Sequence, residues 1–180
     1  MANGQRVVYV GRDAAAWSIE PLPQNSSSLD RADRRILREL SENGRITWRE
    51  LADRIGLSLT PTLRRVRRLE DDGFITGYIA KLDEGRLGGA MSVFISVTLE
   101  RQVDEILAVF ERAVSEIPEV MSGFLMTGDA DYLLRAVVQD LAQYRELVGV
   151  LSRIGGVAHI QSSFAIKTFV SRTAPPMSSP

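Results

Sequence analysis

The spacing of apolar residues changes once along the chain, and this change constrains the fold more than any other feature. Up to Gly73 the apolar residues recur at helical spacing, whereas from Phe74 onward alternating segments are interleaved with two further helical segments. A helix buries one stripe and a strand buries every second residue, so the two parts need different packing partners. The 180 residues therefore predict two small domains.

The helical part predicts three helices, of which the first two have clear start signals. Asp30 is expected to cap the first helix, and Asn43-Gly44 ends it. Thr47 begins the second helix, and Glu50 three residues later completes a capping box. The buried stripe of this second helix is expected to consist of Trp48, Leu51, Ala52 and Ile55.

The third helix follows a sharp turn at Gly56 and is expected to carry a basic surface. Ser58 is its predicted cap, and Pro61 suits its first turn. Its predicted core face consists of Leu63, Val66 and Leu69. Two helices joined by a tight turn, the second presenting arginines and short hydroxyls, are typical of a protein that binds the DNA major groove. The candidate DNA-binding residues are Ser58, Thr60, Pro61, Thr62, Arg64, Arg65, Arg67 and Arg68.

A solvated charged surface is the alternative interpretation of the same arginines. Acidic residues at Glu70–Asp72 follow the run Arg64–Arg68, and charge runs usually lie on surfaces. The combination of turn, caps and proline favours DNA binding. The charge distribution agrees, because residues 29–73 carry 11 Arg against 9 Asp and Glu, whereas residues 87–170 carry 6 basic against 10 acidic residues.

The second part predicts an α+β fold in the order β-α-β-β-α-β. Phe74–Ala80 is expected to be a strand, and a glycine-rich joint follows at Gly85–Gly89. The later strands are predicted at 93–99, 120–126, 132–138 and 160–166, and the helices at 103–114 and 141–151. This order is the ferredoxin-like arrangement, in which helices cover one face of an antiparallel sheet. A second copy of the chain is the expected cover of the other face.

The fold class is therefore α+β, with an N-terminal winged helix-turn-helix followed by a ferredoxin-like βαββαβ domain. Val7–Val10 has the composition of a short strand, but no partner strand is evident nearby. The expected division is a disordered extension at 1–28, the DNA-binding domain at 29–80, a hinge at 81–89, the ferredoxin-like domain at 90–170 and a disordered tail at 171–180.

Composition argues against several kinds of chemistry. The chain has no cysteine, which excludes disulfides, thiolate metal sites and cysteine nucleophiles. His159 is the single histidine, so most zinc sites and histidine bases are disfavoured, and no metal or cofactor is expected. No apolar run approaches the ~18 residues of a membrane span. No export signal is evident, so a cytoplasmic location without a membrane partner is expected.

Gly128–Tyr132 is the densest polar cluster of the second domain. Glycine there lets backbone N–H groups turn towards a carboxylate, and Asp129 or Asp131 can receive an ammonium group, a combination that suits an amino acid. Taken alone, such a cluster is more often an Asp-rich hairpin turn. An enzyme using the two aspartates as an acid/base or metal pair is a further alternative, which the shortage of histidine and cysteine disfavours.

Seven short blocks and two single residues stand in an order typical of one protein family. They are Leu29–Leu37, Gly44–Thr47, Glu50–Ser58, Leu63–Glu70, Gly73–Tyr78, Pro118–Val120 and Thr127–Leu134, with Asp140 and Tyr144. In this succession, across residues 29–170, the chain resembles the leucine-responsive/asparagine regulator (Lrp/AsnC) family of transcription regulators. The departures are Trp48, where the family often has a smaller residue, and the long N-terminal extension.

The resemblance implies a sequence-specific transcription regulator without enzymatic activity. It implies binding to a double-stranded DNA operator as a homodimer, with dimers assembling into octamers. It also implies that residues 90–170 are the effector-binding domain, responsible for ligand binding and oligomerisation, with an amino-acid pocket at the dimer interface. Through this pocket the effector shifts the equilibrium between assemblies of different DNA affinity. A ligand-independent architectural protein that bends or wraps DNA is the alternative. The implied ligand-binding residues are Leu125, Met126, Gly128, Asp129, Asp131, Tyr132, Leu141, Phe164 and Ala165.

Overall fold

The computed structural model describes residues 8–9, 17–18, 29–172, 174 and 175. The chain forms two compact units, one of Met1–Ala80 with Arg172–Pro180 and one of Lys81–Ser171. Each unit has its own hydrophobic core.

The described residues of the N-terminal extension form a pair of two-residue strands. β1 (Val8–Tyr9) pairs antiparallel with β2 (Trp17–Ser18), so the expectation that the first strand has no partner is wrong. Two paired residues leave no periodic signal in a sequence, which is why the partner was missed. The rest of the predicted extension, and of the predicted tail from Pro176 onward, lies outside the described residues.

Three helices of the first unit follow the prediction closely. α1 spans Arg31–Glu42, α2 spans Trp48–Ile55 and α3 spans Leu59–Asp71. The α1 cap is confirmed, because the Asp30 carboxylate accepts the Asp33 N–H at 2.8 Å. The Asp33 carboxylate in turn accepts the Asp30 N–H, at 3.1 Å, so α1 begins with a complete capping box.

The capping box predicted for α2 is only half formed. Thr47 Oγ1 accepts the Glu50 N–H at 3.2 Å, as expected. The Glu50 carboxylate accepts instead from Arg54 Nη2, at 2.7 Å, because the guanidinium one turn later is a charged donor.

The core of the helical unit corrects two predicted positions. Trp48 is half-exposed at the first residue of α2, and Leu63 is only partly buried. Thr62 takes the place of Leu63 in the stripe, because the spacing Thr62, Val66, Leu69 brings all three onto the side that faces α1 and α2. Burial of Thr62 is tolerated because its hydroxyl donates to the Ser58 carbonyl at 2.9 Å.

The predicted strand at Phe74–Ala80 is not one. This segment has no strand pairing, because no neighbouring strand lies beside it within the described part of the chain. It is attached to α3 instead: the Ile75 N–H donates to the Leu69 carbonyl, and the Tyr78 hydroxyl donates to Glu70 at 2.9 Å. The wing of this winged helix-turn-helix is therefore a segment without regular secondary structure that is hydrogen-bonded to the last turns of α3.

The second unit confirms the β-α-β-β-α-β order. Its four strands form one antiparallel sheet in the order β4-β5-β3-β6, so the ferredoxin-like prediction is correct. The elements are β3 (Met91–Leu99), α4 (Asp104–Ser115), β4 (Val120–Leu125), β5 (Tyr132–Val138), α5 (Leu141–Leu151) and β6 (Val157–Phe164).

The two faces of this sheet differ in burial. Alternate residues of β3 and β5 are buried against α4 and α5, including Ile95 and Leu134, which are directly opposite each other. The other face, called the open face below, carries apolar side chains without a covering helix. Phe94, opposite Arg135, is 38% exposed there. The open face includes Ser92, Phe94 and Ser96 of β3, Phe124 of β4, and Leu133, Arg135 and Val137 of β5.

Residues before β3 are tied to one end of the open face. Arg135 Nη2 lies 2.5 Å from Glu84 Oε2. Gly89 packs so closely that an added Cβ would clash with Val137 Cγ1. The predicted hinge at 81–89 is therefore partly bound to the sheet rather than extended away from it.

Candidate nucleic-acid interface and ligand site

The turn between α2 and α3 has the geometry expected for a helix-turn-helix. Gly56 ends α2 in the left-handed conformation, with φ of 76°, and its N–H donates to the Ala52 carbonyl at 3.0 Å. α3 begins three residues later at Leu59. A tight turn of this kind holds the second helix at a fixed angle to the first, so that one face of α3 is exposed.

The exposed face of α3 carries two arginines without an ion pair in the described structure. Arg64 and Arg67 are exposed and lie opposite the buried stripe of α3. Thr60, one turn before Arg64, is exposed on the same side. Guanidinium groups in this position are free to bind phosphate oxygens or base edges. An open concavity on this surface is lined by Thr60, Leu63, Arg64, Arg65, Arg67, Arg68, Asp71 and Asp72.

Arg65 and Arg68 are bound within the domain. Arg65 Nη1 lies 2.8 Å from Asp33 Oδ1 and 2.5 Å from Asp30 Oδ2, and Arg68 Nη2 lies 2.5 Å from Asp33 Oδ2. The Asp33 side chain is 1% exposed, so its charge depends on these partners. The hydrogen bonds that Arg65 donates, first to Asp30 and then to Asp33, raise the pKa of Arg65, and the hydrogen bond that the Asp33 N–H donates to Asp30 is the main cause of the lowered pKa of Asp30.

The other predicted DNA-binding residues differ in accessibility. Ser58 is exposed and Pro61 is partly exposed at the start of α3. Ser58 occupies the N-cap position, as expected, but its side chain makes no capping bond. Thr62 is fully buried and donates to the Ser58 carbonyl, so its side chain does not reach the surface. The structure therefore removes Thr62 from the exposed face.

Asp131, predicted to meet a ligand ammonium, uses its carboxylate inside the protein. One oxygen accepts the Leu99 N–H at 2.7 Å, and the other accepts from Gln102 Nε2. The residue is 5% exposed. Its backbone is also bound to β3, because its N–H donates to the Val97 carbonyl. Asp131 therefore fastens the turn after β4 to the end of β3.

Tyr132 faces the helices rather than a surface pocket. Its ring lies 4.6 Å, centroid to centroid, from that of Phe110, and its hydroxyl donates to Glu111 Oε1 at 2.9 Å. Burial, and secondarily the hydrogen bond to Glu111, raises the pKa of this phenol.

The remaining ligand candidates fall into two groups at opposite ends of the sheet. Leu125, Met126, Gly128 and Asp129 are exposed around the turn that precedes β5. Leu141, Phe164 and Ala165 lie near the other end, where Phe164 is opposite Val93. β5 separates the groups by six residue steps, or roughly 20 Å at ~3.3 Å per step. One protomer therefore does not bring all the candidates together.

Two family profiles match this chain. The profile of winged helix-turn-helix DNA-binding domains matches residues 29–76, and that of the Lrp/AsnC ligand binding domain matches residues 92–175. The chain belongs to the Lrp/AsnC family. It is an Lrp/AsnC transcription regulator with a helix-turn-helix DNA-binding domain.

Characterised relatives of this Lrp/AsnC regulator are similar over most of its length. The Bkd operon transcriptional regulator of Pseudomonas aeruginosa is 58% identical over 152 residues, which cover 84% of this chain and 99% of that protein. The leucine-responsive regulatory protein of Escherichia coli is 47% identical over 130 residues, covering 72% and 79%. A transcriptional regulator of Neisseria meningitidis, solved in complex with L-methionine, is 38% identical with a TM-score of 0.80, covering 83% of this chain and 97% of that one.

Sequence reasoning about this Lrp/AsnC regulator missed Asp33 and Gln102. The capping role of Asp33 had a local signal, since it lies three residues after Asp30. Its ion pairs had none, because Arg65 lies 32 residues further along the chain. Gln102 pairs with Asp131 across 29 residues, again without a local pattern.

Within the described residues, no helix has the length and apolar character that a membrane span requires.

Proposed function

We propose that this chain is an amino-acid-responsive regulator that binds operator DNA, as a homodimer, through the exposed face of α3. The observation that carries this proposal is the division of the arginines of α3. Arg64 and Arg67 are exposed without ion pairs in the described structure, while the opposite side of the same helix is anchored in the core. An anchored helix with free guanidinium groups on its outer face suits the DNA major groove. Its action is binding, and no catalytic step is proposed.

The DNA contacts are proposed for Arg64 and Arg67, with Thr60 beside them. Arg64→Ala is expected to weaken binding to an operator selected from random duplexes by about 1–3 kcal/mol, if the guanidinium contacts a guanine edge. Arg112→Ala is the matched control, since Arg112 is an exposed arginine on α4 in the other unit. Equal affinities of the Arg64→Ala and Arg112→Ala proteins would refute the proposed face.

The homodimer is proposed to form through the open face of the sheet. Apolar side chains on one face of a four-stranded sheet need a cover, and a two-fold pairing of identical faces provides it. Phe94→Glu is expected to shift the protein from dimer to monomer in analytical ultracentrifugation. Val109→Glu is the matched control, because Val109 is an exposed apolar residue on α4, outside that face. Dimers that persist in Phe94→Glu would contradict this arrangement. Assembly of dimers into octamers is part of the same proposal.

An amino acid with an apolar side chain is the proposed effector. One similar protein is named leucine-responsive and another was solved with L-methionine. In this chain, the exposed turn at Gly128 and Asp129 offers a carboxylate and backbone donors, with Leu125 and Met126 exposed beside it. A thermal-shift screen of the twenty amino acids tests this, because a ligand at ~100 times its Kd adds about 2.7 kcal/mol of stability.

A ligand-independent architectural DNA-binding protein is the second candidate. Two observations favour it: the carboxylate of Asp131 already has protein partners, and the predicted ligand residues form two separate groups. The thermal-shift screen separates the candidates, because no amino acid would stabilise an architectural protein.

A further inference from the structure

A single buried carboxylate on α1 forms ion pairs with two of the four arginines between Arg64 and Arg68 of α3. Asp33 gives one oxygen to Arg65 and the other to Arg68, at 2.8 and 2.5 Å. Neighbouring Arg64 and Arg67 have no such partner in the described structure. Four arginines that are close in sequence therefore have two different environments.

We infer that Asp33 is a positioning residue that withholds Arg65 and Arg68 from DNA and so limits sequence-independent binding. This inference rests on the proposed DNA-binding face of α3. Affinity for any duplex increases with each phosphate that a basic side chain neutralises, whatever the base sequence. An arginine held by a carboxylate adds nothing to that term while the ion pair lasts. Only the arginines outside the pair then contribute to binding, and they do so from a helix held in one orientation.

The geometry explains why the ion pairs compete effectively with phosphate. Asp33 is almost completely buried, and leaving its charge unpaired is unfavourable. Its carboxylate also accepts the Asp30 N–H, so the same group holds the start of α1. Arg65 has a second anchor at Asp30, 2.5 Å away. Moving either arginine to DNA would break contacts that the folded domain needs.

Asp33→Asn tests the inference directly, because it keeps the size of the side chain and removes the charge. The measurement is the salt dependence of binding to a fluorescent duplex of random sequence. Each arginine released to a phosphate steepens the slope of log K against log salt by about 0.9, which corresponds to about 3.5-fold in affinity between about 50 and 200 mM salt. Asp53→Asn is the control, since it removes the same charge from an exposed position on α2. A slope in Asp33→Asn equal to that in Asp53→Asn would overturn the inference.

A second pair of variants keeps the test decisive if Asp33→Asn does not fold. Arg64→Gln and Arg68→Gln remove the same group from one helix, four residues apart. The Arg68 side chain is 46% exposed, so replacing it leaves little unfilled space. Asp33 also keeps its ion pair with Arg65 in this variant. We expect Arg64→Gln to reduce the slope by about 0.9 and Arg68→Gln to leave it unchanged, with folding checked by circular dichroism.

The two outcomes that contradict these expectations have different meanings. An equal reduction in both variants means that Arg68 binds phosphate, which overturns the role of Asp33 and leaves the DNA-binding face of α3 intact. An unchanged slope in Arg64→Gln, together with an operator affinity equal to that of the Arg112→Ala control, means that the exposed face of α3 does not bind DNA, which overturns the proposed function itself.

Discussion

Replacing Asp131 by alanine is expected to destabilise the second unit without removing a ligand contact. The carboxylate satisfies the N–H of Leu99, a buried residue at the end of β3, and it also binds the exposed Gln102. When the Asp131 carboxylate is removed, water can bind the exposed Gln102 amide in its place but cannot reach the buried Leu99 N–H. The expected cost is therefore that of one buried unsatisfied donor, about 1–3 kcal/mol.

The size of this effect can be followed by scanning calorimetry. The second unit, residues 81–171, contains 91 residues. In a domain of that size 1 kcal/mol shifts Tm by about 4–8 °C, so a loss of about 2 kcal/mol lowers Tm by about 8–16 °C. Asp129→Ala is the matched control in the same turn, because Asp129 is exposed and is expected to change stability by less than about 0.5 kcal/mol.

Calorimetric titration with the effector found by thermal shift completes the test. The folded Asp131→Ala protein is expected to keep wild-type affinity, while Asp129→Ala loses affinity. An Asp131→Ala protein with unchanged Tm and abolished ligand binding would refute the reasoning, since it would make Asp131 a ligand contact rather than a fastening for the turn.

Two further predictions concern single positions, Gly156 and Tyr78. Gly156→Ala is expected to cost about 1–3 kcal/mol in urea unfolding, because φ is 91° there and the new Cβ would lie 2.5 Å from Ile106 Cγ2; neighbouring Gly155, with open space around it, is the control. Burial and Glu70 raise the pKa of Tyr78 from 10.0 to about 12, so the stability of the first unit is expected to fall between pH 10 and 12 as the unfolded state releases this proton more readily. Tryptophan fluorescence follows that unit, because Trp17 and Trp48 both belong to it. A Tyr78→Phe protein that shows the same fall would contradict the assignment.

The parts of the fold that were predictable are those with local causes. The caps at Asp30 and Thr47 depend on residues three positions apart, and the alternation along β3 and β5 needs only the strand itself. The ferredoxin-like order followed from these local patterns. The Phe74–Ala80 segment marks the limit, because its composition indicates extended backbone but pairing depends on a neighbour.

The parts of the site that were not predictable depend on tertiary contacts. Leu63 and Thr62 both fit a helical stripe with Val66, and only packing against the other helices decides that Thr62 is buried. The same applies to charge: the helical pattern places Arg67 and Arg68 alike, away from the core face, yet Arg68 pairs with Asp33 and Arg67 has no ion pair in the described structure. A sequence pattern gives the number of arginines on a helix, and the fold decides which are available.

The ion pairs of Asp33 have a consequence for how the DNA preference of such a regulator can diverge. A substitution at Arg65 or Arg68 removes one partner of the buried Asp33 carboxylate and therefore reduces the stability of the domain. Arg64 and Arg67 form no ion pair within the described residues, so replacing them leaves no buried charge without a partner. Descendants of this protein can therefore explore new operators through single substitutions at those two positions, with stability and recognition free to vary independently.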